Sequence, residues 1–168
     1  MRFTSGEKLP YLGRRYRLQV ENTREDGVEV KLYQGKFIIK VGNDVTENKR
    51  RKRIKEEIIR WYRKHAQVKI RERVEKYQSQ VGVEPNRIKV KKQRKRWGSC
   101  SSLGNLNFNW KLIMAPMSVV DYIVVHELAH LKHPNHSKDF WQLVEAIISN
   151  YKEKQEWLRI NGRQLEIR

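Results

Sequence analysis

The chain has 168 residues, enough for one domain with a substantial core, and its 37 Lys+Arg against 19 Asp+Glu give a formal charge of +18. That charge favours polyanionic or acidic partners. No apolar run approaches the roughly 18 residues needed to cross a bilayer, no secretory leader pattern is present, and Cys100 is the single cysteine. These features argue against a membrane-embedded or disulfide-stapled protein and lead to the expectation of a reducing, cytoplasmic setting.

Residues 1–45 read as a β subregion. The runs "YRLQV", "GVEVKLY" and "KFIIKV" are β-branched and aromatic, and "EDG", "QG" and "GND" punctuate them. A small antiparallel meander or half-sheet is expected. Residues 46–168 follow as a helical and histidine-bearing region of the same domain. There a basic start, "NKRRKRIKEE", leads into Ile58, Tyr62, Ala66, Ile70 and Val74 at every fourth position. This spacing predicts one long amphipathic helix, or two, ending near Gly82 and Pro85.

"RIKVKKQ" alternates Ile88 and Val90 with basic residues, and "RWGSCSSLGNLNFNW" returns with Leu106 and Phe108, so 87–110 is read as a hairpin or strand pair. Ser118 and Asp121 resemble a capping box opening the helix "VVDYIVVHELAHL", which Pro134 should end near His133. A further helix is expected from Ser137, with Phe140, Leu143, Val144 and Ile147 on one face. The tail to Arg168 is polar, with Trp157, Leu158 and Ile160 as anchors.

The segment Val124 to Trp141 holds four of the five histidines. His126 and His130 are spaced i, i+4, so on a helix both imidazoles reach a single ion. Glu127 completes HExxH spacing, aimed at the same site without ligating, as a general base for an activated water requires. The preceding "VVDYIVV" implies burial, and a buried glutamate beside two histidines is costly unless a cation compensates. Three residues are candidates for the third ligand. His136, six after His130, has the spacing of extended zinc-site motifs and is favoured. Glu145 on the next helix is a carboxylate alternative, and His133 is poorly placed to converge with His126 and His130.

Together, "YLGRRYRL", "RWGSCSS" (Arg96 to Ser102), "NFNWKLIMAP" (Asn107 to Pro116) and "VVHELAHLKHPNHSKDFW" resemble the YgjP-like metal-dependent hydrolase family, relatives of the SprT-like and WLM zinc metallopeptidases. The resemblance runs from about Tyr11 to Trp157. It implies an α+β fold, a compact zincin in which an HExxH helix packs on a small twisted sheet. It also implies zinc (Zn2+) held by His126, His130 and His136, with Glu127 as catalytic base. A peptide is the implied substrate, and a nucleoside-triphosphate pyrophosphatase activity has also been assigned within the group.

Other residues have paired readings. Arg96 binds a substrate carboxylate or phosphate, or forms a structural salt bridge. Tyr151 is a candidate donor to a developing oxyanion. Cys100 reads as a small buried side chain more than a nucleophile, and Trp97, Trp110 and Trp141 as core. Asn109 and Asn135 orient ligands or shape turns.

Three functions are weighed. The first is a zinc-dependent metallopeptidase. The second keeps the metal but cleaves a nucleotide phosphoanhydride, with Arg94, Lys95 and Arg96 drawing in the substrate, although no GxxxxGK[ST] loop is present. The third is a basic nucleic-acid-binding module with a structural metal, using "NKRRKRIK" and "KVKKQRKR". Structural zinc sites usually have four Cys-rich ligands, which disfavours it. An auxiliary nucleic-acid contact through the basic faces is compatible with either enzyme reading.

Overall fold

In the computed structural model, which describes residues 1–168, two small sheets and four helices share one connected core of 36 buried side chains. The first sheet contains β1 (Lys8–Tyr11), β2 (Arg14–Thr23), β3 (Val28–Tyr33) and β4 (Lys36–Gly42) in the order β1-β2-β4-β3. It is not the expected meander, because β4 inserts between β2 and β3 and runs parallel to β2, pairing Leu18 with Phe37 and Val20 with Ile39. The cause lies in the side chains. Phe37, Ile39 and Val41 of β4 are all buried, whereas β3 alternates exposed and half-covered positions. The more apolar strand takes the interior place and the half-polar one the edge.

One helix, α1 (Glu47–Val81), follows and is unbroken over 35 residues. Its buried stripe contains all five of the predicted positions together with Ile54, Trp61, Tyr77 and Val81. Gly82 stops it in the left-handed conformation at φ 79°, donating its N–H to the Gln78 carbonyl. No helix is long and apolar enough to cross a membrane.

The second sheet is β5-β7-β6, formed by β5 (Arg87–Lys91), β6 (Gly98–Cys100) and β7 (Asn105–Asn109). The strands expected to pair over 87–110, β5 and β7, do pair, but in parallel and not as a hairpin; the antiparallel partner of β7 is β6, formed within the segment expected to be a turn. β7 is central because it carries the buried Leu106 and Phe108. A 3-10 turn, Trp110–Met114, then leads into α2 (Met117–His130), which bears HExxH. Ser118 does not cap α2. Pro116 occupies that place without a side-chain bond, and Asp121 is instead drawn into the interior by α1. Ser137 does cap α3 (Lys138–Ile147), its hydroxyl accepting from Phe140 N–H at 3.3 Å. The expected polar tail is ordered as α4 (Tyr151–Asn161) and a short 3-10 turn, Gly162–Gln164, after which Leu165 and Ile167 return to the core. Of its three expected anchors, Trp157 and Leu158 pack on the core, while Ile160 is 57% exposed.

Candidate metal centre

Buried nearly all round, α2 is held rigidly from behind. Arg73 of α1 donates Nε and Nη2 to the two Asp121 carboxylate oxygens at 2.6 and 2.7 Å, and the Tyr77 hydroxyl donates to Oδ2 at 2.9 Å. On the opposite side, the last turns of α2 line a cleft of about 850 Å³ whose facing wall is β6.

His126, His130 and His136 meet in this cleft, each offering a ring nitrogen within 4.8 Å of the others. His136 Nε2 lies 3.1 Å from His130 Nε2 and 3.3 Å from His126 Nε2. The turn through Pro134 carries His136 back over the end of α2. The outward Nδ1 atoms have separate partners: His130 Nδ1 lies 3.0 Å from the His133 carbonyl, and His126 Nδ1 lies 3.3 Å from the Tyr122 hydroxyl. A carbonyl only accepts, so His130 carries its proton on Nδ1 and turns an Nε2 lone pair inward. Three ring nitrogens this close cannot all be satisfied by protons shared among them, whereas one cation accepts a lone pair from each. The donor set therefore fits a divalent metal with three protein ligands and an open position. Aromatic rings fix the imidazole planes. Phe140 stacks on His130 at 4.4 Å between centroids, and Trp141 stacks on His136 at 5.6 Å.

Glu127 lies in the same cleft wall, 4% exposed, and is not part of the nitrogen cluster. Burial pushes its carboxyl up to about 7, against the opposing pull of the Arg96 guanidinium. Burial, followed by the neighbouring His130 and His136, pushes the His126 imidazole down to about 3, which keeps it an uncharged donor. Gly98 makes the approach of β6 to α2 sterically feasible, since a Cβ there would sit 2.9 Å from both Glu127 Cγ and Oε2.

The other expected residues are distributed around this centre. Arg96 lines the cleft and takes part in no ion pair. Cys100 also lines it, its thiol pushed up by burial and by Glu127. Trp110 is buried, and Trp97 and Trp141 pack on the core. Glu145 is exposed and outside the cluster, and Asn135 is exposed on the turn. Asn109 shapes the chain, its amide donating to the carbonyls of Gln93 and Arg96. Tyr151 is buried, with its ring stacked at 5.1 Å on Trp141, the indole that also stacks on His136. The tyrosine in hydrogen-bond reach of a cluster histidine is Tyr122, one turn before His126. Its i, i+4 spacing to that histidine was the available sequence signal.

A family model described as YgjP-like, metallopeptidase domain, matches residues 1–161. The chain belongs to the YgjP-like family. Members of this metallopeptidase family are hydrolytic metalloenzymes, and membership implies a catalytic metal and a peptide substrate. Among solved structures, the chain is similar to the metallopeptidase zymogen abylysin of Pyrococcus abyssi, at TM-score 0.50 and 23% identity over 56% of this chain and 93% of that one. It is also similar to the metallopeptidase zymogen jannalysin of Methanocaldococcus jannaschii, at TM-score 0.49 and 22% identity over 56% of this chain and 96% of that one. The likeness to abylysin is one of fold. No curated protein matches the chain.

Proposed function

We propose that this YgjP-like protein is a zinc metallopeptidase in which His126, His130 and His136 hold the ion and Glu127 is the general base. The observation that carries this reading is the convergence of three imidazole nitrogens within 4.8 Å beside a buried glutamate. Three histidines with an open position suit zinc in a catalytic role. When bound, zinc supplies Lewis acidity, acidifying water and polarising a peptide carbonyl.

The chain's own residues perform the remaining tasks. Glu127 accepts a proton on its carboxylate as water attacks and returns it to the departing amine nitrogen. A carboxyl held near neutrality suits both halves of that transfer. Tyr122 and the His133 carbonyl orient the rings of His126 and His130. The unpaired Arg96 supplies a positive charge to anchor substrate at the rim.

The test is Glu127→Gln with bound metal quantified, assayed on peptides and on nucleoside triphosphates. The expected result is peptide cleavage by the wild type, loss of turnover in the variant and one retained zinc. Glu127-dependent release of pyrophosphate without peptide cleavage would replace this reading with phosphoanhydride hydrolysis.

A further inference from the structure

A second cavity, of about 680 Å³, adjoins the cleft, and Arg96 stands in the walls of both. Six cations line it: Arg94, Lys95, Arg96, Lys111, Arg159 and Arg163. Glu166 is its one carboxylate and already faces Lys111 Nζ at 3.5 Å, while Arg159 pairs with Glu156. Arg94, Lys95, Arg96 and Arg163 take part in no ion pair.

The cluster is held in place. Buried Asn109 donates from Nδ2 to the Gln93 carbonyl at 2.9 Å and the Arg96 carbonyl at 3.3 Å, and its N–H donates to the Trp97 carbonyl at 2.9 Å. The loop bearing Arg94–Arg96 is thereby fixed to the end of β7. Trp97 then packs against Gly162, where a Cβ would meet its Cζ2 at 3.1 Å, so the turn carrying Arg163 sits close to the same loop. Gln93 Nε2, buried in this wall, lacks an acceptor. Like charges carried on a held backbone without counter-charges repel one another, and an anionic ligand relieves that repulsion.

We propose that this cavity is a subsite for acidic side chains of a polypeptide substrate, resting on the metallopeptidase reading of the adjoining cleft. A concave, cation-lined site sharing a wall with the cleft suits Asp or Glu side chains on a chain that passes through it. A polynucleotide tracking an open basic surface has no need of that junction.

The test measures binding by anisotropy on Glu127→Gln protein, so that nothing is turned over. The probes are a fluorescein-labelled peptide with an Asp/Glu block, its Asn/Gln counterpart and a single-stranded oligonucleotide. The acidic peptide should bind about tenfold more tightly than the neutral one, and less so with added salt. Adding Arg94→Gln and Arg163→Gln, both exposed positions, should abolish the difference. Adding Arg63→Gln and Lys64→Gln on α1 removes the same charge elsewhere and should leave it. In otherwise wild-type protein, the ratio of kcat/KM for acidic over neutral peptide should fall toward one with Arg94→Gln/Arg163→Gln. Equal peptide affinities, a preference that survives that double change, or tighter oligonucleotide binding through the same two arginines overturns the proposal. Absence of cleavage of any peptide by the wild type defeats the metallopeptidase reading instead, and the binding comparison still decides whether the cavity takes acidic side chains.

Discussion

Arg73 grips Asp121 through two parallel hydrogen bonds, 2.6 and 2.7 Å long, tying the C-terminal third of α1 to the metal-site helix five residues before His126. The two partners are unequally covered, their side chains being 21% and 10% exposed. Removing the arginine strands the more buried charge. Arg73→Ala should therefore cost roughly 3 kcal/mol, and Asp121→Asn less, because the freed guanidinium can turn to water. Urea denaturation of the two variants checks the order, and equal costs would contradict it.

Gly98 leaves no room for a side chain against Glu127, with 2.9 Å to both Cγ and Oε2 from where a Cβ would be. Gly98→Ala must displace the carboxylate or β6. The expected result is a loss in kcat of about a hundredfold, the usual effect of a misplacement near 1 Å. Metal content, measured by mass spectrometry, should stay at the wild-type level.

Tyr122→Phe deletes the hydroxyl 3.3 Å from His126 Nδ1 while keeping the ring. Partners of this kind are worth about 10- to 100-fold in metal affinity. The length of this contact places the expectation at the lower end, about tenfold, in a chelator competition. Unchanged affinity would mean that the His126 ring is oriented by Phe140 and Trp141 alone.

Stripping the metal with a chelator should abolish activity without unfolding the chain. The connected core extends from Phe3 to Ile167 and includes none of the three cleft histidines. Far-UV circular dichroism should be preserved, and the melting temperature should fall, since a ligand that binds only the native state stabilises it by mass action. Loss of secondary structure on chelation would assign the ion a structural role.

The local patterns in the sequence were legible where one element decides them. Ile58, Tyr62, Ala66, Ile70 and Val74 marked the buried stripe of α1, and the HExxH spacing with His136 picked out the three imidazoles that the fold brings together. What escaped was decided between elements. Asp121 looked like a helix cap because Ser118 precedes it, yet its partners, Arg73 and Tyr77, lie 48 and 44 residues away. β4 was expected to follow β3 in a meander, but competition for the apolar interior moved it beside β2. Tyr122, whose hydroxyl lies 3.3 Å from His126 Nδ1, was not singled out, because that contact depends on how α2 turns its side chains toward the cleft.

Two of the converging imidazoles stand on α2, a helix packed from behind, while the third rides on an exposed turn opened by Pro134. An ion held there would have two donors on a packed helix and a third whose backbone is exposed although its ring is stacked on Trp141. Substitutions at Pro134 or Asn135 act on that third donor alone, and should alter how fast metal exchanges more than how tightly it is held.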